Sequence, residues 1–168
     1  MNADGLAESS KVNDSGIFVR PFGYVEPEPV IRRIGERNLY LGNKFAAHSK
    51  YHNQRFEYVV SATSGKYPLT THHHPLIDGS GNEWSAFESA VDTVRTLYRK
   101  NGSLLVHCKA GISRSSTLIA TALAIEENRA LHDALATVQH ARPHAIPNPP
   151  LHKLAVVYLA ARSDYVVG

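Results

Sequence analysis

The chain has 168 residues, enough for one domain with a substantial core and too few for two. Lys and Arg number 18 against 15 Asp and Glu, a formal charge of +3 that suits an anionic substrate. It falls short of the basic stripe of a nucleic-acid-coating protein, so no nucleic-acid partner is expected. Apolar residues at 43% and charged residues at 20% are ordinary globular usage. The longest nearly apolar run, residues 118–125, is too short for a bilayer, and the polar opening predicts neither a secretory leader nor a membrane partner. Cys108 is the single cysteine, which excludes an internal disulfide and a cysteine-built zinc site and predicts a reducing, cytoplasmic setting.

Residues 1–16 read as a flexible tail, polar and without periodicity. A single domain over residues 17–164 is expected to follow. Its first part, residues 21–29, holds three prolines and predicts an extended lead-in without helix. Residues 38–42 predict a short strand ending at a glycine, with Asn43 as the cap of a helix over 44–51. The aromatic and β-branched run 56–62 predicts a buried strand, and 70–77 a weaker one leading into the loop 78–82. Trp84, Phe87, Val91, Val94 and Leu97 recur at helical spacing, with Asn82 as cap and Asn101-Gly102 as stop. Residues 103–107 form an apolar strand directly before Cys108. Three helices follow, with faces at Leu118, Ala122 and Ile125, at Leu131, Leu135 and Val138, and at Leu151, Leu154 and Tyr158; Pro149-Pro150 opens the last. The order predicts an α/β fold, a sheet with helices packed on it.

The chemistry gathers around Cys108. A buried strand delivers the cysteine to a tight loop containing Gly111, and a helix starts near Arg114. Backbone N–H groups of such a loop, with those of the first helical turn, form an anion-binding nest. The planar guanidinium of Arg114 takes two oxygens of one tetrahedral anion. The same positive surroundings favour a thiolate, placed beneath a bound phosphorus for in-line attack.

The string from His107 through Cys108, Lys109, Ala110, Gly111, Ile112, Ser113 and Arg114 to Ser115 resembles the signature of the protein tyrosine phosphatase superfamily, and its dual-specificity branch in particular. The likeness extends to residues 38–43 with Ala46-Ala47, and to Arg142-Pro143 through Pro147-Asn148. It implies a central mixed sheet of about five strands with helices on both faces. It also implies a metal-independent, cofactor-free phosphatase that passes through a phosphocysteine on Cys108, with Arg114 and the amides of residues 109–114 holding the phosphate oxygens. The family carries its general acid on a mobile loop some thirty residues upstream, which points to Asp78, beside Gly79 and Gly81. By the same resemblance Ser115 assists departure of the thiolate, His107 braces the loop, and Asn148 supports it by hydrogen bonding. The implied partner is a phosphorylated protein.

Plainer roles compete at several positions. Asp78 also suits a turn before glycine. Glu83 and Asp92 are rival acids, but one sits in the first turn of a helical pattern and the other inside it. Lys109 is either a rim cation for a polyanion or a solvated lysine. His72, His73 and His74 suggest a metal, yet neighbours on a strand face opposite ways, which favours an exposed or substrate-rim role. The presence of nucleophile, arginine and acid argues against a phosphate-binding protein without turnover. A phosphatase of the same mechanism acting on a phosphoinositide, an RNA 5′ end or a sugar phosphate is the alternative to a protein phosphatase.

Overall fold

The structure is a computed structural model and describes residues 25–162. The expected tail, residues 1–16, lies outside them. Five strands, β1 (Ile31–Arg33), β2 (Leu39–Gly42), β3 (Tyr58–Ser61), β4 (His72–His73) and β5 (Leu104–His107), form one sheet in the order β1-β2-β5-β3-β4. β1 runs antiparallel to β2; the other neighbours are parallel. β5 occupies the centre because its four residues are apolar or buried on both faces, the pattern a fully covered parallel strand requires. The parallel register sets Gly42 and Ser61 on either side of His107, so three strands end at one edge. Sites in open α/β sheets form at such carboxyl-terminal edges.

Four α-helices follow: α1 (Trp84–Arg99), α2 (Arg114–Glu126), α3 (Leu131–Ala141) and α4 (Pro149–Ala160). They are distributed unequally about the sheet. Leu39, Leu41, Val60, Leu104 and Val106 share one core with residues of all four helices. Val59 and Leu105, alternating to the opposite face, pack with Ala46 and Ala47 and are covered by Tyr40, Phe56, Tyr67 and Leu69. The mixed sheet is as expected, and among the described residues its helical cover is uneven, with the α-helices on one face and the 3-10 turn Lys44–Ala47 on the other. α2 lies centrally: Ser115 through Ala124 are all buried, and it packs against the other three helices. Arg95 and Arg99 of α1 bind Glu126 at its end, each at 2.7 Å.

Several expected elements are shorter or differently capped. The helix expected over 44–51 stops at Ala47, where the His52 ring N–H donates to the Ala46 carbonyl at 2.7 Å. Asn43 stands at its cap position, but its side chain turns back to the lead-in instead: Oδ1 accepts the Val30 N–H and Nδ2 donates to the Glu28 carbonyl. Asn82 does not cap α1; Glu83 occupies that place, and the Asn82 amide bridges Ile77 and Gly79 in the preceding loop. The strand expected over 70–77 shrinks to His72–His73: the Thr70 and Thr71 hydroxyls accept the Tyr67 and Val59 N–H groups, and Pro75 has no N–H for a ladder. β1 was not signalled, being three residues long and mostly exposed. The stop of α1 is as expected: Asn101 adopts φ +62°, the left-handed conformation that ends helices. Among the described residues no helix is long and apolar enough to cross a membrane.

Candidate active site

Cys108 follows β5 at the carboxyl edge of the sheet, buried, with its own N–H donating to the Gly42 carbonyl. Residues 109–113 turn over this edge and enter α2 at Arg114. Gly111 makes the turn possible. Its φ is +69°, and a Cβ there would lie 3.0 Å from the Gly42 carbonyl oxygen. Gly42 must be small for a separate reason, since its own Cβ would meet that of Ala46 at 2.6 Å.

The loop's backbone is satisfied on one side only. Every carbonyl from Cys108 to Ser113 is engaged. His107 Nδ1 meets that of Cys108, and the Lys44 N–H donates to that of Lys109. Arg142 donates to Ala110 and Gly111, Ile146 N–H and Ser116 Oγ to Ile112, and Thr117 to Ser113. The amides of residues 109–114, by contrast, have no acceptor among the described residues. Ser113, at the cap position of α2, makes no side-chain cap; its Oγ accepts the Asn148 N–H at 2.8 Å. A row of N–H donors without protein acceptors is a ready site for an anion, and the N-terminus of a helix adds its partial positive charge.

Three side chains complete the loop's surroundings. Ser115 Oγ lies 3.2 Å from Cys108 Sγ, the distance of a hydroxyl bond to sulfur. Arg114 Nη1 is pinned by the carbonyls of Ala62 (3.3 Å) and Leu76 (3.2 Å), leaving its buried Nε without a partner among the described residues. His107 is fully buried and meets Ser61 Oγ at 2.6 Å. Burial pushes its imidazole down to about 4; the charge of Arg114 acts in the same sense, and the bond to the Cys108 carbonyl opposes it.

The structure brings the expected residues together to different degrees. Cys108, Arg114, Ser115, His107 and the loop form one cluster. Asp78 is exposed on the loop between β4 and α1, two residues beyond Leu76, whose carbonyl binds Arg114. Asn148 joins the two loops: its N–H meets Ser113, and its side-chain amide donates to the Asp78 carbonyl at 3.3 Å. Lys109 is exposed. His72, His73 and His74 do not converge: His72 meets Thr71 Oγ1 and His73 the Thr63 carbonyl. Burial, and then the neighbouring His72 and His73, lower the pKa of His74. No group of three or more potential metal ligands occurs among the described residues.

Arg142 is the residue that reading the sequence left without a task. It is 2% exposed, and all its nitrogens are used: Nε on Gly111, Nη2 on Ala110 and Nη1 on Glu26 Oε1 at 2.8 Å. Its partners lie 31, 32 and 116 residues away in sequence, so no local pattern could mark it.

A cysteine at the end of a central parallel strand, in a loop with free amides and an arginine at its exit, places the chain in the protein tyrosine phosphatase superfamily. The family model for the dual specificity phosphatase catalytic domain matches residues 39–158, and the chain belongs to that family. It is 33% identical over 98 residues to dual specificity protein phosphatase H1 of variola virus, covering 54% of this chain and 57% of that one. Against human dual specificity protein phosphatase 14 the identity is 36% over 94 residues, covering 56% and 41%. The chain thus spans about half the length of these curated relatives. Human DUSP28 superposes with a TM-score of 0.69 at 23% identity over 82% of this chain and 98% of that one, a likeness of fold.

Proposed function

We propose that the protein is a phosphoric monoester hydrolase that removes phosphate from phosphotyrosine and from phosphoserine or phosphothreonine of proteins through a phosphocysteine at Cys108. The observation that carries this reading is the one-sided loop. Among the described residues, six consecutive amides and the Arg114 Nε lack acceptors beside a buried sulfur, a donor set shaped for the equatorial oxygens of a phosphoryl group. In the first step the Cys108 thiolate attacks phosphorus. The S–P bond forms, the ester O–P bond breaks, and Asp78 gives its proton to the departing oxygen. In the second step water attacks phosphorus while Asp78 takes its proton. The sulfur leaves as thiolate, and the Ser115 hydroxyl donates to it across the 3.2 Å contact.

Rapid acid quenching after mixing with 32P-labelled phosphopeptide tests the intermediate. A thiol-linked label at Cys108 is the expected result, and its absence during steady turnover would overturn the reading. Lys109 is exposed on the loop, a cation that favours a polyanionic ester as the second reading. Phosphopeptides, phosphoinositides and 5′-phosphorylated RNA at equal concentration separate the two by kcat/KM.

The acid has its own signature. Asp78→Asn is expected to lower kcat by about 10²–10⁴-fold for esters whose leaving oxygen has a high pKa. Para-nitrophenyl phosphate, whose leaving group departs readily without a proton, should suffer a smaller loss. Equal losses across leaving groups would transfer the role to another carboxylate.

A further inference from the structure

We propose that Asn82 is a positioning residue that holds the loop of residues 77–81 in one shape and thereby aims the Asp78 carboxyl at the leaving oxygen. The proposal rests on the reading of Asp78 as the general acid.

Little else shapes this loop. Its two roots are firm. The Leu76 N–H donates to the Ala62 carbonyl, the Leu76 carbonyl accepts from Arg114, and the Glu83 carbonyl receives the N–H groups of Ala86 and Phe87. Between the roots, no backbone–backbone hydrogen bond involves residues 77–82 among the described residues. Gly79 and Gly81 carry no side chain, and Gly81 adopts φ +98°. Such a segment has wide conformational freedom unless something ties it across. Asp78 cannot do so with its carboxylate: the residue is exposed, and its bond to Asn148 is made by the backbone carbonyl.

Asn82 supplies the tie. Its Oδ1 accepts the Ile77 N–H at 2.8 Å, and its Nδ2 donates to the Ile77 carbonyl at 2.9 Å and to the Gly79 carbonyl at 3.3 Å. The sense of the amide is fixed, because only its oxygen can accept an N–H and only its nitrogen can serve two carbonyls. The carboxamide therefore pairs with Ile77 as a neighbouring strand would, and reaches past the acid to the carbonyl beyond it. Three consecutive peptide planes, those following Ile77, Asp78 and Gly79, are each held at the carbonyl. Asn82 takes the first and third, and Asn148 the second at 3.3 Å. Peptide planes are stiff, so fixing those on either side of residue 78 fixes the direction in which its side chain leaves the backbone. α1 begins without a side-chain cap, although an asparagine stands one residue before the cap position; the amide is committed to the loop instead.

The consequence falls on one step. Proton transfer needs the carboxyl within hydrogen-bond reach of the leaving oxygen. Arg114 is held by Ala62 and Leu76, and the amides of residues 109–114 lie on another loop, so anion binding does not pass through Asn82.

Amide hydrogen exchange of the wild-type protein, resolved by NMR, reads the tie without a variant. The Ile77 amide is expected to be protected while those of residues 79–81, which have no acceptor among the described residues, exchange freely. An unprotected Ile77 amide overturns the proposal. Asn82→Ala should lose the protection and lower kcat/KM for phenyl phosphate on the order of tenfold, less than loss of the acid itself. Para-nitrophenyl phosphate turnover and vanadate inhibition should stay within about twofold of wild type, since neither needs the proton. Asn82→Ser, too short to span the loop, should give the same split if Asn82→Ala does not fold. Added to Asp78→Asn, the Asn82 substitution should cost nothing further, because the group it aims is gone. No loss for phenyl phosphate, an equal loss for both esters, or a full second loss in the double variant overturns the assignment. An even loss across leaving groups in Asp78→Asn alone would instead overturn the general-acid reading and leave the protected Ile77 amide in place.

Discussion

Replacing Cys108 by serine is expected to reduce kcat on the order of 10⁶-fold, the scale of losing a covalent nucleophile, while leaving phosphate-ester binding close to wild type. The two effects separate because they depend on different atoms. Turnover requires a sulfur anion, and a serine hydroxyl in the same place stays protonated. In the proposed mechanism binding relies on the amides of residues 109–114 and on Arg114, whose backbone supports do not involve the sulfur. Isothermal titration with a phosphopeptide, alongside single-turnover kinetics, would show both. Activity within tenfold of wild type would remove Cys108 from the mechanism. Loss of binding together with activity would mean that the sulfur organises the loop.

Arg114→Lys is expected to cost about 10³–10⁵-fold in kcat, despite the retained charge. Arg114 performs two tasks that one ammonium cannot share. Its Nη1 ties the ends of two chain segments, at Ala62 and Leu76, and its Nε stands ready for an oxygen of the anion. Lysine offers a point charge without the fixed fork. The Leu76 carbonyl loses its donor two residues before Asp78, so the acid loop loosens as well. The loss should therefore appear in kcat for poor leaving groups and in weakened inhibition by vanadate, an oxyanion that fills the same donor set. A variant within tenfold of wild type in both would show that charge alone suffices.

What could be read in advance divides along chain locality. The nine residues from His107 to Ser115 carry their chemistry contiguously, so strand, loop and helix start were visible from residue types alone. β5 and α1 were visible for the same reason, as an apolar run and as a 3.6-residue period. Asn43 holds the cap position expected of it but Asn82 does not, and neither side chain makes a cap bond, because an asparagine before a helix satisfies capping rules equally well whether its side chain turns to the helix or to a neighbouring segment. Their partners, Glu28 and Val30 for one and Ile77 and Gly79 for the other, are set by the tertiary path. Ser61 looked like an ordinary strand residue, and only the parallel register beside His107 gives it that neighbour. The short β4 follows from competition: threonine hydroxyls took backbone partners that a longer ladder would have used. Asp78 was legible as a position, while its carboxylate remains exposed and its anchoring falls to the backbone.

The ion pair between Arg142 and Glu26 redraws the minimal unit. Similarity to the family begins at residue 39, yet the carboxylate that neutralises the loop's buried guanidinium sits thirteen positions earlier, ahead of the first strand. A fragment cut to the recognised segment would keep Cys108, Arg114 and Asp78 but strand the Arg142 cation against two turn carbonyls, since removing one member of an enclosed pair leaves the other uncompensated. The leading segment is in this sense part of the cradle's foundation, although it contributes no atom to the chemistry.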